Sequence, residues 1–132
     1  MPSEQTYNYS KTVSLSYEDT LRRVTEELKK EGFGVLTEID VKETLKKKLD
    51  VDFRKYKILG ACNPALAHKA LNEETELGLF LPCNVIVYED DAGRTVVSAV
   101  NPIVSLSRIG NPKLEPTAQE VAGKLRRVIA AI

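Results

Sequence analysis

The sequence predicts an α+β fold in which helices cover a mainly antiparallel sheet, formed as one domain over residues 1–132. The predicted order of elements is strand, helix, strand, short helix, strand, short helix, two strands and helix. The last two strands are joined by a hairpin turn at Asp90-Asp91-Ala92-Gly93, which indicates antiparallel pairing. A chain of 132 residues with 42% hydrophobic and 29% charged residues is typical of one globular domain that buries its own core.

The N-terminal third is predicted to form a strand and an amphipathic helix. Polar and apolar positions alternate from Tyr7 to Leu15, as in a half-buried strand. Ser16 is expected to cap the helix, with Asp19 three residues further on, and Gly32 to end it. Apolar residues between these points recur every three or four positions, which predicts one buried helical stripe.

Two further strands are predicted at Phe33–Ile39 and Tyr56–Cys62. Between them, Asp40 is expected to cap a short helix, with Glu43 at the third helical position. Asn63-Pro64 is a helix start, because Asn is a good N-cap and proline is tolerated where no N–H is required.

The rest of the chain is predicted as a packed loop, two strands and a final helix. The loop covers residues 72–82, and the strands cover Cys83–Glu89 and Arg94–Val100. Asn101-Pro102 is expected to end the second strand, and Ile103–Leu106 to add a short extension to it. Thr117, with Glu120 three residues on, is expected to cap the last helix.

Charge and hydropathy exclude two classes of partner. Nineteen basic residues balance nineteen acidic ones, so the chain lacks the positive field that nucleic-acid binding requires. No apolar run approaches the roughly 20 residues that cross a bilayer, which excludes a membrane span. The N-terminal residues do not resemble a signal peptide, and two cysteines are too few for a disulfide scaffold. We therefore expect a cytoplasmic protein with reduced thiols.

Reactive side chains concentrate in two short motifs, Gly60-Ala61-Cys62-Asn63-Pro64 and Leu81-Pro82-Cys83-Asn84. These motifs contain both cysteines of the chain, and the single histidine, His68, lies between them. Each cysteine is predicted at the end of a strand, where unpaired backbone groups can contact a ligand. If the two strands run antiparallel, both cysteines lie at the same end of the sheet. We therefore expect a ligand-binding pocket formed by Cys62, Asn63, His68, Cys83 and Asn84.

Other interpretations of these residues remain open. His68 falls outside the apolar arc of its helix, which is typical of a surface histidine. The cysteines are equally typical of buried, inert thiols. Their spacing matches no standard zinc motif, so neither a metal nor a cofactor is assigned. If Cys62 is activated by the following helix N-terminus, it is also a candidate thiolate nucleophile.

Several segments together resemble the domain-of-unknown-function 302 family. They are Phe33–Val41, Tyr56–Pro64, Ala67-His68-Lys69-Ala70 and Leu81–Val85, and the resemblance extends from about Tyr7 to the last helix. It implies a compact α+β domain similar to one TATA-binding-protein-like unit, and a homodimer. The family pattern includes both cysteine motifs but implies no activity and no residue roles.

The leading hypothesis is a small soluble domain that binds a small-molecule ligand or a soft metal ion at a pocket containing Cys62, Cys83 and His68. It is expected to act as a homodimer. One alternative is a thiol-dependent enzyme that uses Cys62, and another is a structural or interaction module. Whether the chain is an enzyme is therefore left open by the sequence.

Overall fold

A five-stranded antiparallel sheet forms the centre of the structure, a computed structural model that describes residues 6–132. Its strands are β1 (Asn8–Val13), β2 (Gly34–Asp40), β3 (Tyr56–Cys62), β4 (Cys83–Glu89) and β5 (Thr95–Val100). Their order across the sheet is β1-β5-β4-β3-β2, and every neighbouring pair is antiparallel. The predicted α+β class with an antiparallel sheet is confirmed.

Five α-helices connect or follow the strands. They are α1 (Tyr17–Lys30), α2 (Val41–Leu49), α3 (Pro64–Glu73), α4 (Pro102–Ser107) and α5 (Glu115–Ala130). Two 3₁₀ segments, Thr75–Phe80 and Pro112–Leu114, precede β4 and α5.

The main core lies between one face of the sheet and the helices α1 and α5. Leu59, Val85 and Val97 supply side chains from three adjacent strands, each no more than 2% exposed. Val24 of α1 and Leu125 of α5 pack against them and are fully buried. Burying an aliphatic side chain of this size contributes about 1.5–3 kcal/mol, so this layer supplies much of the driving force for folding.

The predicted helix caps of the first half of the chain are confirmed. The Ser16 side chain accepts a hydrogen bond of 3.0 Å from the N–H of Asp19. The Asp40 side chain accepts one of the same length from the N–H of Glu43. Gly32 follows the end of α1 with a φ of 86°, in the left-handed region that glycine tolerates.

Three predictions in the second half were wrong in detail. Residues 103–106 do not extend a strand but belong to α4, because the Asn101 side chain caps the N–H of Ile103 at 3.0 Å. The predicted loop at 72–82 contains the end of α3 and the 3₁₀ segment Thr75–Phe80. The last helix begins at Glu115, and Thr117 lies buried in its first turn instead of capping it.

A smaller apolar cluster connects α3, α4 and α5. Its buried members are Ala70, Leu77, Leu106, Leu114 and Ala118. This cluster anchors the helices beside the end of the sheet where β3 ends and β4 begins.

Candidate functional site

The two cysteine motifs meet at one end of the sheet. Cys62 is the last residue of β3 and Cys83 is the first residue of β4. These strands are antiparallel neighbours, with Ala61 opposite Cys83 and Gly60 opposite Asn84. The antiparallel arrangement on which the predicted pocket depended is therefore present.

The cysteines are not a facing cross-strand pair, because Cys83 pairs with Ala61. Successive side chains of a strand point to opposite faces of the sheet. The side chain of Cys62 therefore lies on the face opposite to those of Ala61 and Cys83. Both cysteines are partly exposed, and Cys83 also packs against the main core beside the buried Ala61. The two thiols are thus close in the fold but have different environments.

Burial controls the chemistry of Cys83. Burial, and to a smaller extent the nearby Cys62 sulfur, raises the pKa of the thiol to about 11. A thiol with this pKa is about one part in ten thousand thiolate at pH 7. Cys83 is therefore a neutral, soft and weakly polar group at neutral pH, not a preformed nucleophile.

Gly60 allows Pro82 and Thr37 to pack closely against β3, on the sheet face opposite to Ala61 and Cys83. A Cβ atom at this position would lie 2.7 Å from Cγ of Pro82 and 2.2 Å from Oγ1 of Thr37. Both distances are shorter than a van der Waals contact allows. The glycine lets the Leu81-Pro82 segment, whose peptide bond is cis, cross β3 immediately before Cys83.

The Asn63 side chain forms two hydrogen bonds, one through Oδ1 and one through Nδ2. Its Oδ1 accepts a hydrogen bond from the N–H of Leu66 at 3.3 Å, which caps α3. Its Nδ2 donates to the carbonyl oxygen of Glu31 at 3.3 Å, at the end of α1. The amide is therefore occupied by two helix ends.

His68 lies apart from the cysteines. It is exposed on α3, and its Nε2 lies 3.5 Å from Nδ2 of Asn72, one turn further along the helix. The predicted orientation away from the core agrees with this placement. Asn84 is also exposed, on β4, where it follows Cys83.

Two neighbouring spaces lie beside Cys83. The first, here called the inner cavity, has a volume of about 40 Å³ and is lined by both cysteines and mainly by apolar side chains of β3, α3, the 3₁₀ segment, α4 and α5. The second, here called the cysteine cleft, has a volume of about 280 Å³ and lies between the 3₁₀ segment and α4. Five residues line both spaces: Leu81, Pro82, Cys83, Pro102 and Leu106.

The sequence prediction missed Pro102 and Leu106 in this wall. The signal was present, because Asn101-Pro102 repeats the Asn-Pro helix start of Asn63-Pro64. That signal was interpreted as a strand end. A helix at this position brings its buried side toward the strand end that carries Cys83.

Comparison with known proteins places the chain in a family. The family model described as "Domain of unknown function DUF302" matches residues 9–132. The chain belongs to the DUF302 family. A crystal structure of an uncharacterised conserved DUF302 protein from Bacillus stearothermophilus is similar to it, with 34% sequence identity and a TM-score of 0.89. That match covers 95% of this chain and 97% of the other. A search of curated proteins gave no match.

The residues of this DUF302 chain set limits on metal chemistry at the cysteines. Within residues 6–132, no group of three or more His, Cys, Asp or Glu side chains is arranged to hold a metal ion. An ion at the inner cavity would have at most the two sulfurs as His or Cys ligands, and His68 would have to leave its present position to join them. In the same part of the chain, no helix has the length and hydropathy to span a membrane.

Proposed function

We propose that this DUF302 chain is a binding domain for a small, mainly apolar ligand that enters the cysteine cleft. One observation carries the proposal: Cys83 lines both the cysteine cleft and the inner cavity. A ligand in the cleft would contact the Cys83 region and could extend toward the cavity. Leu81, Pro102 and Leu106 would supply the apolar contacts.

The polar groups near the cleft restrict the ligand further. Asn84 and Ser105 contribute to its lining, next to the exposed side chains of Leu79 and Phe80. Small-molecule sites commonly combine apolar walls with a few polar groups that fix orientation. We therefore infer a ligand with an apolar ring or chain and one hydrogen-bonding group. Of the residues predicted for the site, Cys62, Asn63, Cys83 and Asn84 line these spaces, with Asn63 also serving as a helix cap, and His68 lines neither space.

A soft metal ion is the second candidate, because both thiols line the inner cavity. Soft monovalent ions accept two thiolate ligands. Such an ion would have to displace a proton from Cys83, which its high pKa opposes. The neutral Cys83 thiol favours the apolar ligand over the ion, whereas the alternative of an enzyme that uses Cys62 has to be tested separately.

Indole is a suitable probe, since it is apolar and carries one N–H donor. We expect millimolar indole to shift the backbone NMR signals of residues 79–84 and 102–106. Ser105→Trp should abolish these shifts by filling the cleft, whereas Ser107→Trp, on the same helix but outside the cleft lining, should preserve them. Binding that is unchanged in Ser105→Trp would contradict the proposal.

Silver(I) binding and alkylation by iodoacetamide distinguish the soft-metal site and the thiol enzyme from the apolar-ligand site. One-to-one silver binding that is lost in both Cys62→Ala and Cys83→Ala, without indole binding, would assign the site to a soft metal. Rapid alkylation of Cys62 at neutral pH, without indole binding, would favour the thiol enzyme.

Both cysteines are free thiols, which supports the proposal of a reducing, cytoplasmic location.

We also propose that the chain forms a homodimer through the outer face, defined as the sheet face opposite α1 and α5. Strand pairing arranges this face in rows across the sheet: Ile39, Ile58, Ile86, Ser98 and Ser10; and Tyr56, Tyr88, Val96 and Thr12. A third row contains Thr37, Gly60, Asn84, Val100 and Asn8, and Pro82 covers Gly60 in this row. No residue in these rows is charged, although 29% of the chain is. Depletion of charge is typical of the centre of a protein interface.

The size of the outer face fits a second copy of the chain. Five strands and about six residues per strand give roughly 24 Å by 20 Å, or about 500 Å² per copy. Two copies would bury about 1,000 Å², the lower limit for a specific interface. Zero formal net charge means that two copies do not repel each other at long range. The stacked rings of Tyr56 and Tyr88, 5.3 Å apart, supply a rigid aromatic centre for this contact.

A further inference from the structure

A separate cavity of about 460 Å³ lies beside α4, α5 and the loop between them. It is here called the α4–α5 cavity. Leu106 is its one lining residue in common with the cysteine cleft and the inner cavity. The α4–α5 cavity is therefore a different space from the site proposed above, and Leu106 forms part of the wall between them.

The inner surface of the α4–α5 cavity is apolar. Ile103 and Leu106 contribute from α4, Leu114 from the second 3₁₀ segment, and Ala118 from α5. Leu114 and Ala118 are 2% and 4% exposed, so these walls are fixed by the smaller apolar cluster. A volume of this size lies in the range of about 300–1,000 Å³ that small-molecule sites occupy.

The polar side chains of the cavity belong to Ser107, Asn111, Glu115 and Gln119, and the Gln119 amide can both donate and accept hydrogen bonds. Asn111 is already occupied: its Nδ2 donates to the carbonyl oxygen of Glu73 at 3.0 Å, and its Oδ1 accepts from the N–H of Lys113 at 3.0 Å. The Ser107 hydroxyl donates to the carbonyl oxygen of Val104 at 2.7 Å, which leaves its oxygen able to accept.

Glu115 is the only charged residue in the lining. It is exposed in the first turn of α5, and among residues 6–132 its carboxylate has no ion-pair partner. A carboxylate at the edge of an apolar cavity attracts a cationic donor, and partial removal from water strengthens that attraction.

We propose that the α4–α5 cavity binds a small organic ammonium compound, with its apolar body against Leu106, Leu114 and Ala118 and its ammonium group on Glu115. The lining supports this class because the carboxylate and the Ser107 oxygen accept hydrogen bonds while the inner walls are apolar. A neutral analogue loses the charge-assisted hydrogen bond, and an anionic analogue is repelled by Glu115.

Three probes of matched size test the charge preference: 4-phenylbutylamine, 4-phenylbutanol and 4-phenylbutyrate. In an NMR titration of the full chain, we expect the amine to shift the signals of residues 103–119 and to bind about tenfold more tightly than the alcohol. The carboxylate should not bind measurably. Glu115→Gln should reduce amine affinity about tenfold, while Glu120→Gln, an exposed position on the same helix outside the lining, should leave it unchanged.

Two further variants locate the site. Ser107→Trp should abolish amine binding, and Ser105→Trp and Cys83→Ala should preserve it, so failure of the cysteine-cleft proposal would leave this result intact. Equal affinity for the amine and the carboxylate, equal affinity in Glu115→Gln and the unmodified chain, or no shifts at millimolar amine would overturn the proposal. The NMR spectrum of each variant also reports whether it is folded.

Discussion

The side chain of Asn63 links two helices, because its Nδ2 donates to the carbonyl oxygen of Glu31 while its Oδ1 caps α3. Glu31 is the C-cap residue of α1, so one amide satisfies groups at the end of one helix and the start of another. These backbone groups would otherwise lack partners within their helices. The Cys62-Asn63 motif therefore positions α3 beside α1 before any ligand is considered.

The first prediction concerns this link. Asn63→Ala removes an N-cap and a second hydrogen bond, and we expect it to lower the free energy of unfolding by about 2 kcal/mol. Urea unfolding followed by circular dichroism measures the change. Asn72→Ala, on the exposed side of the same helix, should cost less than about 0.5 kcal/mol. Equal losses in the two variants would show that the link to Glu31 is energetically unimportant.

The second prediction concerns the strand crossing at Gly60. Gly60→Ala places a methyl group against Pro82 and Thr37, and overpacking of this kind costs about 1–3 kcal/mol. Gly34→Ala is the matched control, because a Cβ at Gly34 would meet no atom within 4 Å. Adding Thr37→Ala to Gly60→Ala should restore part of the loss in a double-mutant cycle. Additive losses would mean that Thr37 is not the obstructing group.

The third prediction concerns alkaline pH. Burial raises the pKa of Cys83 from 9.0 to about 11, so the folded state favours the protonated thiol. The resulting stabilisation is fully present below pH 9 and is lost as the pH rises from 9 to 11, because the unfolded state releases its proton first. The loss amounts to about 3 kcal/mol for a shift of about two units.

Cys83→Ala provides the measurement for that prediction. The difference in unfolding free energy between the unmodified chain and this variant should be constant from pH 6 to 8 and should shrink above pH 9. Subtraction removes the contributions of other groups, such as Tyr17, whose pKa burial raises to about 12. A difference that stays constant to pH 11 would contradict the buried, neutral thiol.

The fourth prediction concerns the outer face. Ile58→Lys places a charge at its apolar centre, next to Ile39 and Ile86. We expect sedimentation equilibrium to give a dimer for the unmodified chain at 50 µM and a monomer for this variant. Thr25→Lys, an exposed change on α1, should remain dimeric. An unmodified chain that is monomeric at this concentration would exclude the proposed dimer.

Local signals in the sequence predicted much of the fold. Ser16, Asp40 and Asn63 cap their helices as expected, because a cap is decided by residues within three positions. Asn101-Pro102 carries the same signal, but the apolar residues that follow fit a strand and a short helix equally well. Burial of Leu106 against Leu114 and Ala118 favours the helix. This contact joins distant parts of the chain, so a local pattern does not reveal it.

The candidate site depended even more on non-local structure. The sequence placed both cysteines at strand ends, and the antiparallel pairing of β3 with β4 brings them to one end of the sheet. The register then places Ala61, not Cys62, opposite Cys83. A shift of one residue would place Cys62 opposite Cys83 on the same face of the sheet, and no local pattern determines that register. Membership of the DUF302 family, suggested by the two cysteine motifs, was confirmed.

The position of β1 at the edge of the sheet affects how the chain folds during synthesis. Asn8 of β1 donates a side-chain hydrogen bond to Ser98 of β5, 90 residues later in the sequence. β1 and α1 are made early, but β1 has no partner strand until nearly three quarters of the chain has left the ribosome. The antiparallel β2–β3–β4 unit can pair first, so the first strand to be synthesised is the last to join the sheet.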